Sequence, residues 1–164
     1  MSLILLLSDL HATWDDRFLQ YAAPCDEIWL AGDTVDLTLC DRLEQTGKPC
    51  RIVWGNADGQ EFRLRYPKDQ RFTLDGVSVW MTHIGGYPGR WPRAIRSKLL
   101  THPVQLFVCG HSHICRAMYD HQLATLVLNP GAAGTYGPQV ERTLMRFTLE
   151  AGTISDLEVI ELGR

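Results

Sequence analysis

The chain has no paired-cysteine motif, no excess of basic charge, no apolar run long enough to cross a bilayer, and no repeat or low-complexity tract. Each absence removes a class of protein. The five cysteines, Cys25, Cys40, Cys50, Cys109 and Cys115, are odd in number and widely spaced. That pattern argues against a disulfide framework and for reduced thiols in a cytoplasmic protein. Lys and Arg number 16 against 19 Asp and Glu, a net charge of -3. No stable nucleic-acid complex is therefore expected, although a nucleotide or short oligonucleotide is still allowed as substrate. The opening Met1–Leu7 is apolar but lacks a basic leader and meets Asp9 at once. It reads as a first core strand rather than a signal peptide, and no membrane partner is expected.

What is present is a chain of 164 residues with an ordinary 45% of hydrophobic side chains. That length suits a single domain over 1–164, burying close to 70% of its unfolded surface. Five short apolar runs each end, within a few residues, on a side chain able to hold a metal. Leu3–Leu7 leads to Asp9 and His11, Ile28–Ala31 to Asp33, and Ile52–Trp54 to Asn56. Val77–Thr82 leads to His83, and Val104–Cys109 to Gly110-His111-Ser112-His113. Such runs read as buried strands, and ligands of open α/β sheets gather at the carboxyl ends of strands.

The first half alternates strand and helix signals, with helices expected near 14–22 and 37–46 between strands near 3–7, 27–31 and 51–54. This implies parallel strands joined by right-handed crossovers. The second half turns to strands: a hairpin over 71–74 and 77–82 around Asp75-Gly76, then strands near 104–109, 114–119, 124–128, 143–149 and 154–160. One helix near 92–101 follows the Gly/Pro-rich segment 85–89. The expected architecture is α/β: two sheets face to face with helices outside.

Taken singly, Asp9, Asp33 or Asn56 reads as a helix cap or turn residue, and His83 as a hydrogen-bonded interior histidine. Five strand ends carrying such residues together favour a metal site. Carboxylate, amide and imidazole donors with no Cys suit Mn²⁺, Fe²⁺, Zn²⁺, Co²⁺ or Ni²⁺. Seven donors exceed the need of one ion and suit two, about 3.5–4 Å apart, sharing a carboxylate and a hydroxide. Two divalent ions less two carboxylates and one hydroxide leave about one positive charge, which favours a phosphate substrate.

In this order, Asp9-Leu10-His11, Gly32-Asp33-Thr34-Val35-Asp36, Gly55-Asn56, His83 and Gly110-His111-Ser112-His113 resemble the calcineurin-like metallophosphoesterases. The spacing is most similar to their small bacterial and archaeal phosphodiesterase branch, which also includes the retromer scaffold subunit. The resemblance implies a four-layer αββα sandwich of two mixed β-sheets flanked by helices. It implies one metal on Asp9, His11, Asp33 and His113, and a second on Asp33, Asn56, His83 and His111, with manganese preferred. It implies hydrolysis of a small phosphate ester or nucleotide, a phosphodiester above a phosphomonoester, by attack of a metal-bridging hydroxide. It also allows a homo-oligomer, and the complete ligand set favours an enzyme over a protein-interaction scaffold.

Two departures from the family pattern stand out. Larger relatives follow the Asn with a His thought to protonate the leaving group, oriented by the second Asp of the G-D-x-x-D block. Here that position is Ala57, while Asp36 remains as an expected outer-shell residue, so the proton donor is unassigned. Relatives often carry Ser where Ala132 stands in Asn129-Pro130-Gly131-Ala132. Among less specific features, Asn56 and Arg90 are the expected substrate contacts. Arg93 and Arg96 read as a basic helix face anchored by Tyr87 and Trp91. Asp58 reads as a turn or capping residue, Tyr136 as a rim candidate, His102 and His121 as surface residues, and the arginines at 63, 65 and 71 as solvated charge.

Overall fold

The computed structural model describes residues 1–164. Ten strands divide into two five-stranded sheets. The first sheet holds β1 (Ser2–Leu7), β2 (Glu27–Leu30), β3 (Cys50–Ile52), β9 (Arg142–Glu150) and β10 (Thr153–Gly163), in the order β10-β9-β1-β2-β3. β1, β2 and β3 run parallel, whereas β9 pairs antiparallel with both β1 and β10. The second sheet has the order β4-β5-β6-β8-β7, from β4 (Asp69–Leu74), β5 (Val77–Thr82), β6 (Leu106–Val108), β7 (Cys115–Asp120) and β8 (Thr125–Pro130). Its centre, β5-β6-β8, is parallel and its two edge pairs are antiparallel.

Period-two alternation along β1 decides what each face meets. Ile4 and Leu6 point into a core between the sheets, against Val79, Met81 and Val108 of the second sheet and Met145 and Phe147 of β9. Leu5 and Leu7 point the other way. They meet Phe18 and Ala22 of α1 (Arg17–Ala22), Leu39 and Leu43 of α2 (Leu37–Glu44) and Phe62 of α3 (Gln60–Arg65). On the far face of the second sheet, Trp80, Phe107 and Val127 pack against Leu99 of α4 (Arg93–Thr101). The result is the expected αββα sandwich of two mixed sheets. No helix is long and apolar enough to cross a membrane.

One element, α3, has no counterpart among those expected. α3 starts at Gly59 without a side-chain cap, spans six residues and buries only Phe62. So short a helix shows no apolar period, and Leu64 points outward, 82% exposed. The helix expected from residue 14 also starts later, at Arg17, because Asp15 accepts the Arg17 backbone N–H and its guanidinium instead of capping a longer helix.

Candidate metal centre

The carboxyl ends of β1, β2, β3, β5 and β6 open on one side of the sandwich, and the structure brings Asp9, His11, Asp33, Asn56, His83, His111 and His113 together there. The loops that carry them are held backbone to backbone. Asp9 N donates to Gly32 O at 3.0 Å, His11 N to Asp33 O at 3.0 Å, and Gly110 N to His83 O at 3.0 Å. Asp9, His11, Asp33, His111 and His113 all adopt left-handed backbone, with φ from 42° to 71°. Non-glycine residues visit that region at a cost of order 1–3 kcal/mol each, a strain typical of sites whose surroundings dictate geometry. The glycines of two motif blocks are required by contact: a Cβ on Gly55 would strike the Asp33 carboxylate, and one on Gly110 would strike Ser8 Oγ and Asp9 Oδ2.

Donor atoms form two adjoining groups. Asp9, His11 and His113 are one and Asp33, His83 and His111 the other, each with its ligand atoms within 4.8 Å of one another. Asp33 Oδ2 lies between them, 3.6 Å from His11 Nε2 and 3.1 Å from His83 Nε2. Asp9 Oδ1 sits 3.3 Å from His113 Nε2 and 3.8 Å from His11 Nε2. Asn56 Oδ1 is 2.9 Å from His111 Nδ1 at the exposed margin.

Hydrogen bonds fix which atom of each side chain is left over. His83 Nδ1 meets the Ala31 carbonyl at 2.7 Å and must donate to it, leaving Nε2 as the free lone pair when the ring is neutral. Gln139 donates its amide to Gly134 O and Tyr136 O, so its oxygen accepts from His113 Nδ1 at 2.8 Å and frees His113 Nε2. Asp9 Oδ2 accepts from Ser8 Oγ at 2.7 Å and from the His111 N–H at 3.1 Å, leaving Oδ1. Asp9 Oδ1, His11 Nε2 and His83 Nε2 are buried and without a hydrogen-bond partner. Buried polar atoms are rarely orphaned, and Asp9 Oδ1, 3.8 Å from His11 Nε2 and 3.9 Å from His83 Nε2, fits a cation held among them. Burial alone disfavours charge on His83, yet the adjacent Asp33 and Asp9 hold its pKa above the usual histidine range. Its ring thus sits in the field of two carboxylates, a field that a divalent ion also satisfies.

Several supporting residues were not foreseen. Asp58, read as a turn or cap, is a buried carboxylate that ties two ligand loops together: it accepts from Asp33 N at 3.0 Å, Gly55 N at 2.7 Å and Val35 N at 2.7 Å. Burial pushes its carboxyl upward against the pull of those three donors. Ala57 brings no side-chain acid, but its N–H donates to Asp33 Oδ1 at 2.8 Å. Ser8 and Gln139 carry no motif that would have singled them out. Asp36 stands elsewhere than expected: it caps α2 through Thr38 N at 2.9 Å and Thr38 Oγ1 at 2.7 Å, with no bond to a candidate ligand. The short Asx-type bond at the start of a helix holds it there, and Asp58 is the carboxylate that contacts Asp33.

Around the rim, the Tyr136 ring lies 4.7 Å from the His11 ring. Arg90 is exposed and lines a small cleft with His111, Tyr87 and Arg116. Trp91 packs on Phe107 and donates to Asp120 at 2.7 Å, so it anchors the loop and leaves no apolar patch with Tyr87. His102 and His121 are exposed and outside the site. Asn129 turns inward, donating to Gly110 O at 2.9 Å and thereby bracing the His111 loop.

Comparison with known proteins identifies the class. Residues 1–152 match the calcineurin-like phosphoesterase superfamily domain, and the chain belongs to that family. No curated protein matches the chain. Among solved structures, a Thermotoga maritima protein is 25% identical with a TM-score of 0.74, covering 99% of this chain and 100% of its own. An archaeal phosphodiesterase is 18% identical with a TM-score of 0.80 over 98% of this chain and 99% of its own. Vps29 of Chaetomium thermophilum is 15% identical with a TM-score of 0.75 over 100% of both chains.

Proposed function

We propose that this chain is a two-metal phosphoesterase acting on phosphodiesters, with residues 1–164 forming one metallophosphoesterase domain. The observation that carries the reading is the pair of adjoining donor groups with Asp33 Oδ2 between them. In it, Asp9, His11, Asp33 and His113 hold one divalent ion, and Asp33, Asn56, His83 and His111 the other, manganese being the preferred metal. Bound there, such ions polarise phosphoryl oxygens and lower the pKa of a coordinated water. The protein's own part is orientation. Gln139 and the Ala31 carbonyl fix the His113 and His83 tautomers, Ser8 and the His111 N–H restrict Asp9 to one free oxygen, the Ala57 N–H sets the Asp33 carboxylate, and Asp58 holds the Asp33 backbone. Asn56 and Arg90, which line the two clefts at the margin beside the donors, are the proposed contacts of a phosphate oxygen.

Clefts open on two sides of this margin, one walled by Asn56 and His83 and the other by His111 and Arg90. A diester has two organic arms to place and a monoester one, which favours the diester. The archaeal phosphodiesterase of like fold supports the same choice. A scaffold role, as the Vps29 likeness would suggest, is less well supported because every donor of the set is present.

The test is turnover of bis-p-nitrophenyl phosphate and p-nitrophenyl phosphate with and without Mn²⁺. Metal-stimulated hydrolysis, faster for the diester and lost in His111→Ala with the fold intact, is expected. No metal-stimulated turnover of either ester would refute the reading.

A further inference from the structure

The larger of the two clefts has a charge pattern that the metal centre does not explain. It encloses about 460 Å³ and runs outward from Asn56 and His83. Three cations line it from three separate parts of the chain: Arg63 in the last turn of α3, Lys68 before β4, and Lys98 in the last turn of α4. None of them is engaged in an ion pair, although five other arginines of this chain are. Arg63 lies over the Trp54 ring, its guanidinium carbon 4.4 Å from the centroid, which positions the guanidinium while leaving its N–H groups free. Asp69 is the one carboxylate in the wall. The indole N–H of Trp80, which also lines the cleft and is 2% exposed, has no acceptor in the protein. In a chain of net charge -3, unpaired cations converging beside a phosphoryl site call for an anion.

From this we infer that the cleft is a subsite for a second anionic group of the substrate, a phosphate carried on the same molecule as the scissile one. The inference rests on the phosphoesterase reading and narrows its substrate to a phosphoester bearing a further phosphate. The cleft beside His111 is the poorer candidate. It encloses about 160 Å³, and its Arg116 is stacked on Tyr87 at 3.5 Å.

The experiment uses two probes that differ by one phosphate, adenosine 5′-monophosphate and adenosine 3′,5′-bisphosphate, as inhibitors of bis-p-nitrophenyl phosphate hydrolysis by the Mn²⁺-loaded protein. The bisphosphate is expected to inhibit at about tenfold lower concentration, the usual scale for one added charge-assisted contact. That ratio should collapse toward one in Arg63→Glu and Lys98→Glu and persist in Arg116→Ala, which alters the other cleft. Equal inhibition by the two probes in the wild type overturns the subsite. So does a ratio that survives both charge reversals, since the metals alone would then be responsible. Should the protein turn over no ester, the phosphoesterase reading fails by itself. Calorimetric binding of the same two probes to the same variants then decides the subsite, and equal affinities reject it.

Discussion

Replacing Asp58 by Asn tests how the site is held, because it keeps shape while removing charge. The Asp58 carboxylate accepts three backbone N–H groups at 2.7, 2.7 and 3.0 Å, from Val35, Gly55 and Asp33. An amide has one acceptor oxygen. Placed where Oδ2 stands, it keeps the bonds from Asp33 and Gly55 and turns its NH₂ against the Val35 N–H. The lost bond leaves a donor unsatisfied, at about 1–3 kcal/mol, and the two kept bonds each weaken by about 1 kcal/mol on losing charge assistance. Relief of a buried charge next to Asp33 returns part of this, so a net loss of about 2–3 kcal/mol is expected. Urea unfolding, followed through the buried Trp29 and Trp80, should show a lower midpoint with an unchanged slope. Because the same bonds place Asp33 and Asn56, Mn²⁺ affinity measured by calorimetry should fall about 10–100-fold, as for other groups that orient metal ligands. A midpoint within about 0.5 kcal/mol of wild type, together with unchanged metal affinity, would refute the argument.

Four further outcomes follow from the same geometry. Under graded chelation, metal analysis should find the ion on buried Asp9 with His11 and His113 retained after the one whose site includes exposed Asn56 and His111 has emptied; simultaneous loss would contradict this. Asp15 is bonded to Arg17 and Arg142 and held at about 2 against an ordinary 3.8, so its contribution is complete above pH 4 and lost as pH falls through about 2. Over that window Asp15→Asn should be less sensitive to acid than wild type, by about 1 kcal/mol after allowance for solvent screening, as read from urea midpoints. Burial pushes Cys25 and Cys50 up to about 11 and Cys40 and Cys109 to about 12, so a thiol reagent at pH 8 should label the native protein far more slowly than the unfolded one. With no side-chain acid at Ala57, rates across a series of aryl and alkyl diesters should fall steeply as leaving-group pKa rises, and a flat dependence would reveal a donor elsewhere.

The parts of this molecule that could be read from its sequence share one property: they are dictated by local pattern. The apolar runs before Asp9, Asp33, Asn56, His83 and His111 mark both strands and strand ends, because burial on two faces demands continuous apolar residues. The hairpin around Asp75-Gly76 is legible for the same reason, and its strands pair as expected from Leu74–Val77 outward. What was not legible depends on contacts across the fold. Asp58 and Asp36 carry the same side chain and both stand near a helix start, yet one braces two loops of the site and the other caps α2. Only the approach of the β2 and β3 ends to each other separates them. Gln139 likewise reaches His113 across 26 positions, and no local rule selects a glutamine in a loop as the partner of a histidine.

This division bears on how the centre works. The donor side chains come from sequence motifs, but their free atoms are chosen by neighbours that no motif names: a backbone carbonyl for His83, an amide for His113, a hydroxyl and an N–H for Asp9. Five of the seven donor-bearing residues also sit in strained left-handed backbone, held by backbone bonds between loops such as His11 N to Asp33 O. A site built this way is preorganised by the fold, so its geometry is set before any cation arrives. Its charge is not balanced in the same way, since Asp9 and Asp33 face three partnerless or misaligned histidine nitrogens rather than fixed donors. Cations bound there as proposed would therefore serve electrostatic closure more than shape. Without them the backbone should stay in place, and His83, whose pKa the nearby Asp33 and Asp9 raise, should be the side chain that gains a proton more readily.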